Sequence, residues 1–534
     1  MPGRLRYSAG MGGPLRTGRD RAPRRLEHDP VQTALRLRDF FSAHDQVLIR
    51  ERGQFIARWG GEHSGFSLHP DASRVVCHVW NQECNWVRRI TGAAASSPGR
   101  LEIEALRMGQ SRPERVELVA ADAAAAEPRR RLEFRQAVGS AAERDWHGWR
   151  LSPLTGPAPE RSPVQRLLLE RQQGILPCVA VDDEGASMRT CAPPAAVVAQ
   201  AWTWAAQCRQ RHPDADMPAV RLIVPAAMAA WIERLQAGLA ADPALQCFCW
   251  DASAGTLEIA GGAGIGNTFE GLRRATTMSP LDSEAKEMLE LVRDACPQAT
   301  WETGADGRAR IAVYGLEVVQ ESGPEAAGIS RFVFGCGREQ TPLLPATRPL
   351  LESLVRTVGS QRVPGGDRRD PLFAARAEAW MGSLLQHDIT VLDPHVDPEP
   401  VYGQTPVSTS GGLGVVDLLA RGRDGRLIVI EMKSEEDLAF PLQALAYWLE
   451  VKRRHEQGMF ERLGYFPMQP LNPLPPRLWL VAPALRWHPF TSEVLRRLAP
   501  EVPCTCFGLN EQWRERVQVV FRRELDDYRS AGVN

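Results

Sequence analysis

The hydrophobic and polar positions of the chain change their period several times, and each period predicts a different kind of element. From residue 27 to about 155, apolar and polar residues alternate in short runs such as RVVCHVWN and GRLEIEALRMG, separated by glycine and proline. A period of two is typical of strands that bury one face. We therefore predict a β-rich domain over 27–155, opened by a helix that begins near Asp29-Pro30 with proline in the favoured first-turn position.

The middle of the chain mixes helical and strand patterns. After a proline-rich linker near 151–163, PAAVVAQAWTWAAQCRQRH and AAMAAWIERLQAGL have helical periods, while AVRLIVPA, LQCFCW and GTLEIAGG have strand periods. This mixture predicts an α/β domain over 156–360 whose role the sequence does not reveal. Its glycine-rich loop, GGAGIGNTF, matches no phosphate-binding pattern and is interpreted as a turn. No internal repeat is visible in the sequence.

A second linker, VGSQRVPGGDRRD, leads into a third predicted domain over 361–534. DPLFAARAEAWMGSLL predicts a helix capped by Asp370, and FPLQALAYWLEVKRRH predicts a helix that begins at Pro441. Between them, VVDLLA and RLIVIEMK predict a β-hairpin. The fold class expected for the whole chain is therefore mixed α and β, in several domains, after a disordered basic tail over 1–26.

Composition narrows the functional classes. The chain has 43% hydrophobic and 24% charged residues, which is typical of a soluble globular protein. Its formal net charge of −1 argues against general coating of nucleic acid but permits local basic patches. Eleven cysteines without a CxxC pattern predict reduced thiols and a cytoplasmic location, and no apolar run is long enough to predict a membrane span.

Some aromatic and histidine residues admit both a functional and a structural interpretation. Four tryptophans of the first predicted domain have the chemistry to stack on bases, but burial in a sheet is the favoured interpretation: Trp80, Trp86, Trp146 and Trp149. His387 and His395 lie between the Asp370 helix and the hairpin. We interpret both as loop or surface residues rather than catalytic groups.

The predicted hairpin carries the residues with the strongest chemical interest. Alternation places Leu427, Val429, Glu431 and Lys433 on one face of its second strand. A glutamate and a lysine thus end a face that is otherwise apolar, where unpaired charge is costly. Phosphodiester hydrolysis requires carboxylates that hold a metal ion near the scissile bond, so this end of the hairpin is a candidate hydrolytic site.

The length of the hairpin loop decides whether Asp417 joins that site. A two-residue loop, Asp424-Gly425, pairs Asp417 with Met432 and directs its carboxylate away from Glu431. A three-residue loop that begins at Arg423, with glycine in the left-handed position, pairs Asp417 with Glu431 instead. We predict the three-residue loop, because only that register lets the two carboxylates share a metal.

The hairpin resembles the D…ExK signature of the PD-(D/E)XK nuclease superfamily, which has the restriction-endonuclease-like fold. Asp417 is followed by thirteen residues and then by Glu431-Met432-Lys433. The superfamily also carries a glutamate on a helix before the aspartate strand, where this chain has Glu378. The motifs cover roughly residues 366–490, about a quarter of the chain.

The helix after the hairpin adds to the resemblance. Gln443 and Tyr447 are four residues apart and therefore share one helix face, as in the QxxxY motif of the RecB-type branch. Lys452, Arg453 and Arg454 continue the same helix, where contact with phosphates and a solvated helix end are equally good interpretations.

The resemblance implies a role for each matched residue. Asp417, Glu431 and the Met432 carbonyl would ligate Mg²⁺, or Mn²⁺ in its place, and Glu378 would complete or orient that site. Lys433 would position the attacking water or stabilise the developing charge. The chain has three lysines, Lys286, Lys433 and Lys452, among 64 basic residues, so a lysine in the ExK position favours a chemical role.

The expected function is therefore a metal-dependent nuclease that acts on DNA in repair, recombination or defence against foreign DNA. Gln443, Tyr447, Lys452 and Arg453 are the expected accessory or DNA-binding residues. The expected partners are DNA and, because the chain has no ATPase motif, a separate helicase or other protein. The alternatives are a non-catalytic DNA-binding module on a nuclease fold and an RNA nuclease. The sequence leaves the oligomeric state open.

Overall fold

A computed structural model of the chain describes most of its length. The described residues are 29–51, 54–61, 63–70, 74–82, 85–97, 99–106, 114–153, 164–182, 194–260, 282–303, 308–322, 330–336, 340–409, 412–467 and 469–530. The predicted basic tail and the GGAGIGNTF loop lie outside them. The described residues through Ala124 form one compact unit, and those from Ala125 onward form a second. In these ranges, none of the helices has the length and apolar content needed to cross a membrane.

The first unit is a helix packed on one antiparallel sheet. Its elements are α1 (Pro30–Ala43), β1 (Gln46–Glu51), β2 (Gln54–Gly60), β3 (Gly65–Pro70), β4 (Val75–Trp80), β5 (Asn85–Ser97), β6 (Arg100–Leu106) and β7 (Glu114–Ala120). The strand order is β2-β1-β7-β6-β5-β4-β3. Helix α1 begins at Pro30, as predicted, and Asp29 caps it by accepting the Val31 N–H at 2.8 Å. Leu37 and Phe41 of α1 are buried in the core against the sheet.

The next part of the chain forms a mixed sheet with helices on both faces. Its elements are α2 (Ala121–Asp145), β8 (Arg150–Leu151), β9 (Val164–Arg171), β10 (Gly174–Val181), α3 (Pro194–Arg211), β11 (Ala219–Ile223), α4 (Ala226–Gln236), β12 (Ala244–Asp251) and β13 (Thr256–Ile259). The six strands lie in chain order across the sheet. The sequence analysis predicts no helix at α2, although its run of alanines has high helix propensity.

Three of the four tryptophans that the sequence analysis considered are buried, and the fourth is partly exposed. Trp86, Trp146 and Trp149 are buried, which confirms the structural interpretation for them. Trp80 is 36% exposed at the end of β4, with its ring 4.7 Å from that of His78.

A smaller antiparallel sheet follows. Its elements are α5 (Ser283–Ala295), β14 (Ala299–Thr303), β15 (Ala309–Val313), β16 (Leu316–Glu321), β17 (Phe332–Phe334), β18 (Thr341–Pro342) and α6 (Arg348–Gln361). The strand order is β14-β15-β16-β17-β18, and α5 and α6 pack together beside it. Asp282 caps α5 by accepting the Ala285 N–H at 2.9 Å.

The last part of the chain forms a second mixed sheet that contains the hairpin. Its elements are α7 (Pro371–Ala374), α8 (Ala377–His387), a 3₁₀ turn (Ile389–Val391), β19 (Tyr402–Thr409), β20 (Gly412–Arg421), β21 (Leu427–Met432), α9 (Phe440–Glu456), α10 (Met459–Arg462), β22 (Arg477–Pro483), α11 (Thr491–Leu495), β23 (Cys504–Leu509), β24 (Val519–Glu524) and α12 (Leu525–Ser530). The strand order is β19-β20-β21-β22-β23-β24, with β21, β22 and β23 parallel. Both predicted hairpin strands are confirmed.

The single helix predicted from Asp370 onward is wrong, because the structure breaks it into α7 and α8. Asp370 caps α7 as predicted, but Arg376 has a left-handed φ of +49°. The Arg362 guanidinium accounts for the break, since it donates to the carbonyls of Leu372 and Ala375 at 2.7 and 2.8 Å. A side chain from outside the segment therefore takes carbonyls that a continuous helix would use.

The turn between β15 and β16 holds the start of α8 in place. The Tyr314 ring stacks on Trp380 with centroids 4.7 Å apart, and the Arg362 guanidinium lies 4.4 Å from the Trp380 ring centroid. Gly315, at φ +70°, approaches the same helix so closely that a Cβ would lie 2.3 Å from the Ala379 carbonyl oxygen. The smaller sheet thus fixes the first turn of α8 by direct packing.

We expect Gly315→Ala to loosen α8, because the new methyl group must displace the Ala379 carbonyl. Gly148→Ala is the matched control: Gly148 also has a positive φ, of +85°, but a Cβ there would meet nothing within 4 Å. The control should lose about 1–2 kcal/mol from left-handed backbone strain alone. Gly315→Ala should lose about 1–3 kcal/mol more through overpacking. Hydrogen–deuterium exchange of the peptide spanning 377–387 should rise only in Gly315→Ala; equal exchange in both variants would contradict the contact.

Candidate functional site

The hairpin loop sets the register that brings two carboxylates together. Strands β20 and β21 pair from Arg421–Leu427 to Leu418–Ile430, a register in which Asp417 and Glu431 are the next residues along the two strands. The Gly422 N–H donates to the Arg426 carbonyl at 2.8 Å, so the loop is Arg423-Asp424-Gly425. Gly425 has a φ of +83°, the left-handed conformation that a three-residue loop requires. The prediction of an odd-length loop is therefore confirmed.

Asp417 lies where the ladder between β19 and β20 is interrupted. The pairing passes from Gly403–Leu418 directly to Thr405–Val416, and Gln404, at the interruption, has a φ of +49°. The Asp417 Oδ2 accepts the Met432 N–H at 2.9 Å, and the Gln404 side chain donates to Oδ1 at 3.4 Å. This local irregularity holds the carboxylate at the end of β21.

Glu431 is the most deeply buried charged group of the site. Its side chain is 2% exposed, and its Oε2 has no hydrogen-bond partner among the described residues. Burial, reinforced by the charge of Asp417, raises the pKa of Glu431 well above its usual value. Burial likewise raises the pKa of Asp417 to about 6, although the Met432 N–H and Lys433 oppose the change. Two carboxylates thus share a space that favours a compensating cation.

Lys433 places an ammonium group between the carboxylates of two elements. Its Nζ lies 3.7 Å from Glu431 Oε1 and 3.9 Å from Glu378 Oε2. Burial alone would lower the pKa of Lys433, but the neighbouring carboxylates, chiefly Glu431 and Glu378, raise it, so the side chain stays charged. Glu378 is 43% exposed and also accepts the Ser434 N–H at 3.5 Å. Lys433 therefore connects the first turn of α8, through Glu378, with the end of β21, through Glu431.

Helix α9 brings the two residues of the predicted QxxxY motif to the same place. The Gln443 amide donates to the Tyr447 hydroxyl at 3.2 Å. Burial, with the charge of Glu431 next in importance, raises the pKa of Tyr447. The phenol therefore lies close enough to sense the carboxylates, and it stays protonated as a hydrogen-bond donor.

The predicted basic accessory residues lie in ion pairs at the far end of α9. Lys452 pairs with Glu456 at 2.9 Å, and Arg453 pairs with Glu450 at 2.6 Å. Arg454 is 4% exposed and also pairs with Glu450. These pairs favour the interpretation of a charged helix end over that of a phosphate-binding surface.

The two histidines lie apart from the carboxylates. His387 is exposed in the last turn of α8. His395 has a side chain that is 86% exposed, and its Nδ1 lies 2.9 Å from Asp393 Oδ1. Both positions agree with their interpretation as surface residues.

The described part of the chain contains no group of three or more His, Cys, Asp or Glu side chains arranged to hold a metal ion. The donors around Lys433 nevertheless fit a hard cation. Asp417, Glu431 and the Met432 carbonyl all offer oxygen, the ligand type of Mg²⁺, which keeps several waters and needs few protein ligands. The Glu431 Oε2 without a hydrogen-bond donor is a buried oxygen that such a cation would satisfy.

Sequence reasoning missed the residues that hold the site in shape. Arg362 is completely buried and binds four carbonyls, among them those of Val313 and Tyr314, so it connects the smaller sheet to the start of α8. Arg362 lies inside the segment VGSQRVPGGDRRD, which the sequence analysis predicts to be a linker, so its position gave no indication of this role. Gln404 was missed because a positive φ at a non-glycine residue leaves no trace in the hydrophobic pattern.

Comparisons with known proteins add little to this geometry. No protein-family model matches the chain, and no curated protein matches it. Among solved structures, a repair endonuclease from Pyrococcus abyssi aligns with 38% of this chain and 88% of its own, at 13% sequence identity and a TM-score of 0.12. A TM-score this low does not show a shared fold, so functional inference depends on the site.

Proposed function

We propose that the chain is a metal-dependent nuclease of the PD-(D/E)XK type, and that Asp417, Glu431 and Lys433 form its hydrolytic centre. One observation carries the proposal: Glu431 is buried beside a second carboxylate, with one oxygen that lacks a hydrogen-bond donor and an ammonium 3.7 Å from the other. Burying like charges together is costly, so a purely structural strand end rarely keeps them. A reaction that requires a bound cation explains why the chain keeps two carboxylates at this position despite the free-energy cost of burying them.

A bound Mg²⁺ would polarise the scissile phosphate and lower the pKa of a water molecule. Asp417, Glu431 and the Met432 carbonyl would hold the ion, and Glu378 would complete or orient its surroundings. Asp417, Glu431 and Met432 belong to one hairpin and Glu378 to the first turn of one helix, so regular secondary structure holds these donors in place before substrate binds.

Lys433 acts on the reacting phosphate rather than on the metal. Its ammonium is 14% exposed and stays protonated among the carboxylates, so it can donate to an attacking water or to a phosphate oxygen that gains negative charge. The Gln443 amide and the Tyr447 hydroxyl add neutral donors from α9, which suit a substrate strand or a water molecule without competing for the metal.

DNA is the proposed substrate because the same residues resemble the D…ExK and QxxxY motifs of DNA nucleases. Purified protein should cleave linear, circular or single-stranded DNA in the presence of Mg²⁺ or Mn²⁺, and EDTA should abolish cleavage. Cleavage of RNA alone would reassign the substrate. Metal-independent DNA binding without cleavage would favour the non-catalytic alternative.

Replacing either buried carboxylate by its amide should remove catalysis without harming the fold. We expect Asp417→Asn and Glu431→Gln each to lose at least about 10³-fold in turnover, since a lost metal ligand removes several kcal/mol of transition-state stabilisation. Thermal stability should stay equal or rise, because an amide carries no charge that is costly to bury. Glu436→Gln, an exposed residue of the following loop, is the matched control and should keep full activity. Wild-type cleavage by Asp417→Asn would refute the assignment.

The Lys433→Arg variant tests whether Lys433 acts through the compact shape of its ammonium group or only through its positive charge. The guanidinium is a wide planar fork that displaces a water which a compact ammonium accommodates. We expect the variant to bind DNA and metal normally but to lose about 10²-fold or more in single-turnover cleavage. Lys286→Arg, which alters an exposed lysine of α5, should cleave normally. Near-normal turnover by Lys433→Arg would show that the residue supplies only charge.

A further inference from the structure

Two parts of the second unit repeat the same series of elements. One runs α2-β8-β9-β10-α3-β11-α4-β12-β13, and the other runs α8-β19-β20-β21-α9-β22-α11-β23-β24. We call the first the middle copy (residues 125–260) and the second the C-terminal copy (residues 377–530). The short helices α10 and α12 occur only in the C-terminal copy, as far as the described ranges extend.

The two sheets also agree in topology. In each, the six strands lie in chain order, and successive pairs are antiparallel, antiparallel, parallel, parallel and antiparallel. The first helix of each copy packs on one sheet face, while the helices after the third and fourth strands pack on the other. The two copies agree in the order of their elements, in the directions of their strands and in the sheet face on which each helix packs, which identifies a structural repeat. The amino-acid sequence shows no internal repeat, so this repeat is visible only in the arrangement of the elements.

The copies pack against each other through corresponding helices. Helix α3 contacts α9 and α11, and α9 in turn contacts α4, the counterpart of α11. This reciprocity is the pattern of an isologous interface, in which the same surface of two subunits meets across a twofold axis. The interface is tight, since a Cβ on Gly238 would lie 2.7 Å from Leu445 Cδ1. One continuous hydrophobic core joins the helices of both copies.

In its described residues, the middle copy has no counterpart of Glu431, because strand β10, GILPCVAV, which corresponds to β21, carries no acidic residue. The far end of its hairpin pairs Val164 with Val181, the first residue of β9 with the last of β10, on the face that α3 covers. Both valines are buried, at 1% and 2% exposure, so this end of the hairpin is apolar.

The described residues of the middle copy also lack two other groups of the site. Helix α3, which corresponds to α9, contains no tyrosine over Pro194–Arg211, so it has no counterpart of Tyr447. No lysine precedes Lys286 anywhere in the sequence, so the middle copy has no counterpart of Lys433.

We infer that the chain is a self-contained pseudodimer with one hydrolytic centre, which cuts one strand of a duplex per encounter. The inference rests on the proposed nuclease function. A symmetric dimer carries two centres, and both strands of a duplex can be cut while it stays bound. In this chain the helical surface of the C-terminal copy is already covered by a copy without the chemistry, so cutting the second strand requires a second binding event.

Light scattering of the full chain tests the pseudodimer independently of cleavage. The expected mass is that of one chain, 59.1 kDa, at the concentrations used for cleavage, because the corresponding helical faces are buried against each other. A stable dimer would place two centres in one particle and would overturn the inference, whether or not DNA is cut.

Supercoiled plasmid and a linear duplex with a different fluorophore in each strand test the number of strands cut per encounter. With limiting enzyme and Mg²⁺, most plasmid should become nicked circle before linear DNA appears, and the two labelled strands should be cut independently. A dimeric restriction endonuclease assayed in parallel supplies the coupled profile. Linear product without a nicked intermediate, or simultaneous loss of both labels, would overturn the inference. Absence of any cleavage would instead refute the proposed function, and the mass would still decide the pseudodimer.

Discussion

The burial of two carboxylates at the end of one hairpin is the constraint on which the site depends. Asp417 and Glu431 repel each other in a space that excludes water, and one Glu431 oxygen has no hydrogen-bond donor. Lys433 offsets part of that charge from 3.7 Å away, while Tyr447 and Gln443 cover the site from α9. The unsatisfied oxygen and the charge imbalance are what a divalent cation would correct.

The site is maintained by contacts from parts of the chain that are remote in sequence. Arg362 takes the carbonyls that would continue α7, and Gly315 and Tyr314 hold the first turn of α8, so that Glu378 reaches Lys433. On the opposite sheet face, α3 and α4 of the middle copy pack on α9, the helix that carries Tyr447. The regions between the first unit and the hairpin thus act as supports for one small set of polar groups.

Features that depend on the local pattern of residues could be predicted from the sequence, whereas features that depend on contacts with distant residues could not. Alternation and the glycine of the turn were enough to predict the hairpin, its register and the face shared by Glu431 and Lys433. The break before Glu378 was missed because its cause, Arg362, lies outside the segment. The structural repeat was missed because β10 carries none of the charged residues that mark the end of β21.

A structure of crystals soaked in Mn²⁺, with anomalous diffraction recorded for the metal, is the most direct measurement of the central claim. One Mn²⁺ should bind between the carboxylates of Asp417 and Glu431 and the Met432 carbonyl, and none should bind at the β9–β10 hairpin of the middle copy. Binding should disappear in the Glu431→Gln variant, whose amide no longer supplies the missing negative charge. Mn²⁺ found only elsewhere, or a site that stays empty at saturating metal while Lys433 remains paired with both glutamates, would contradict a metal-dependent centre.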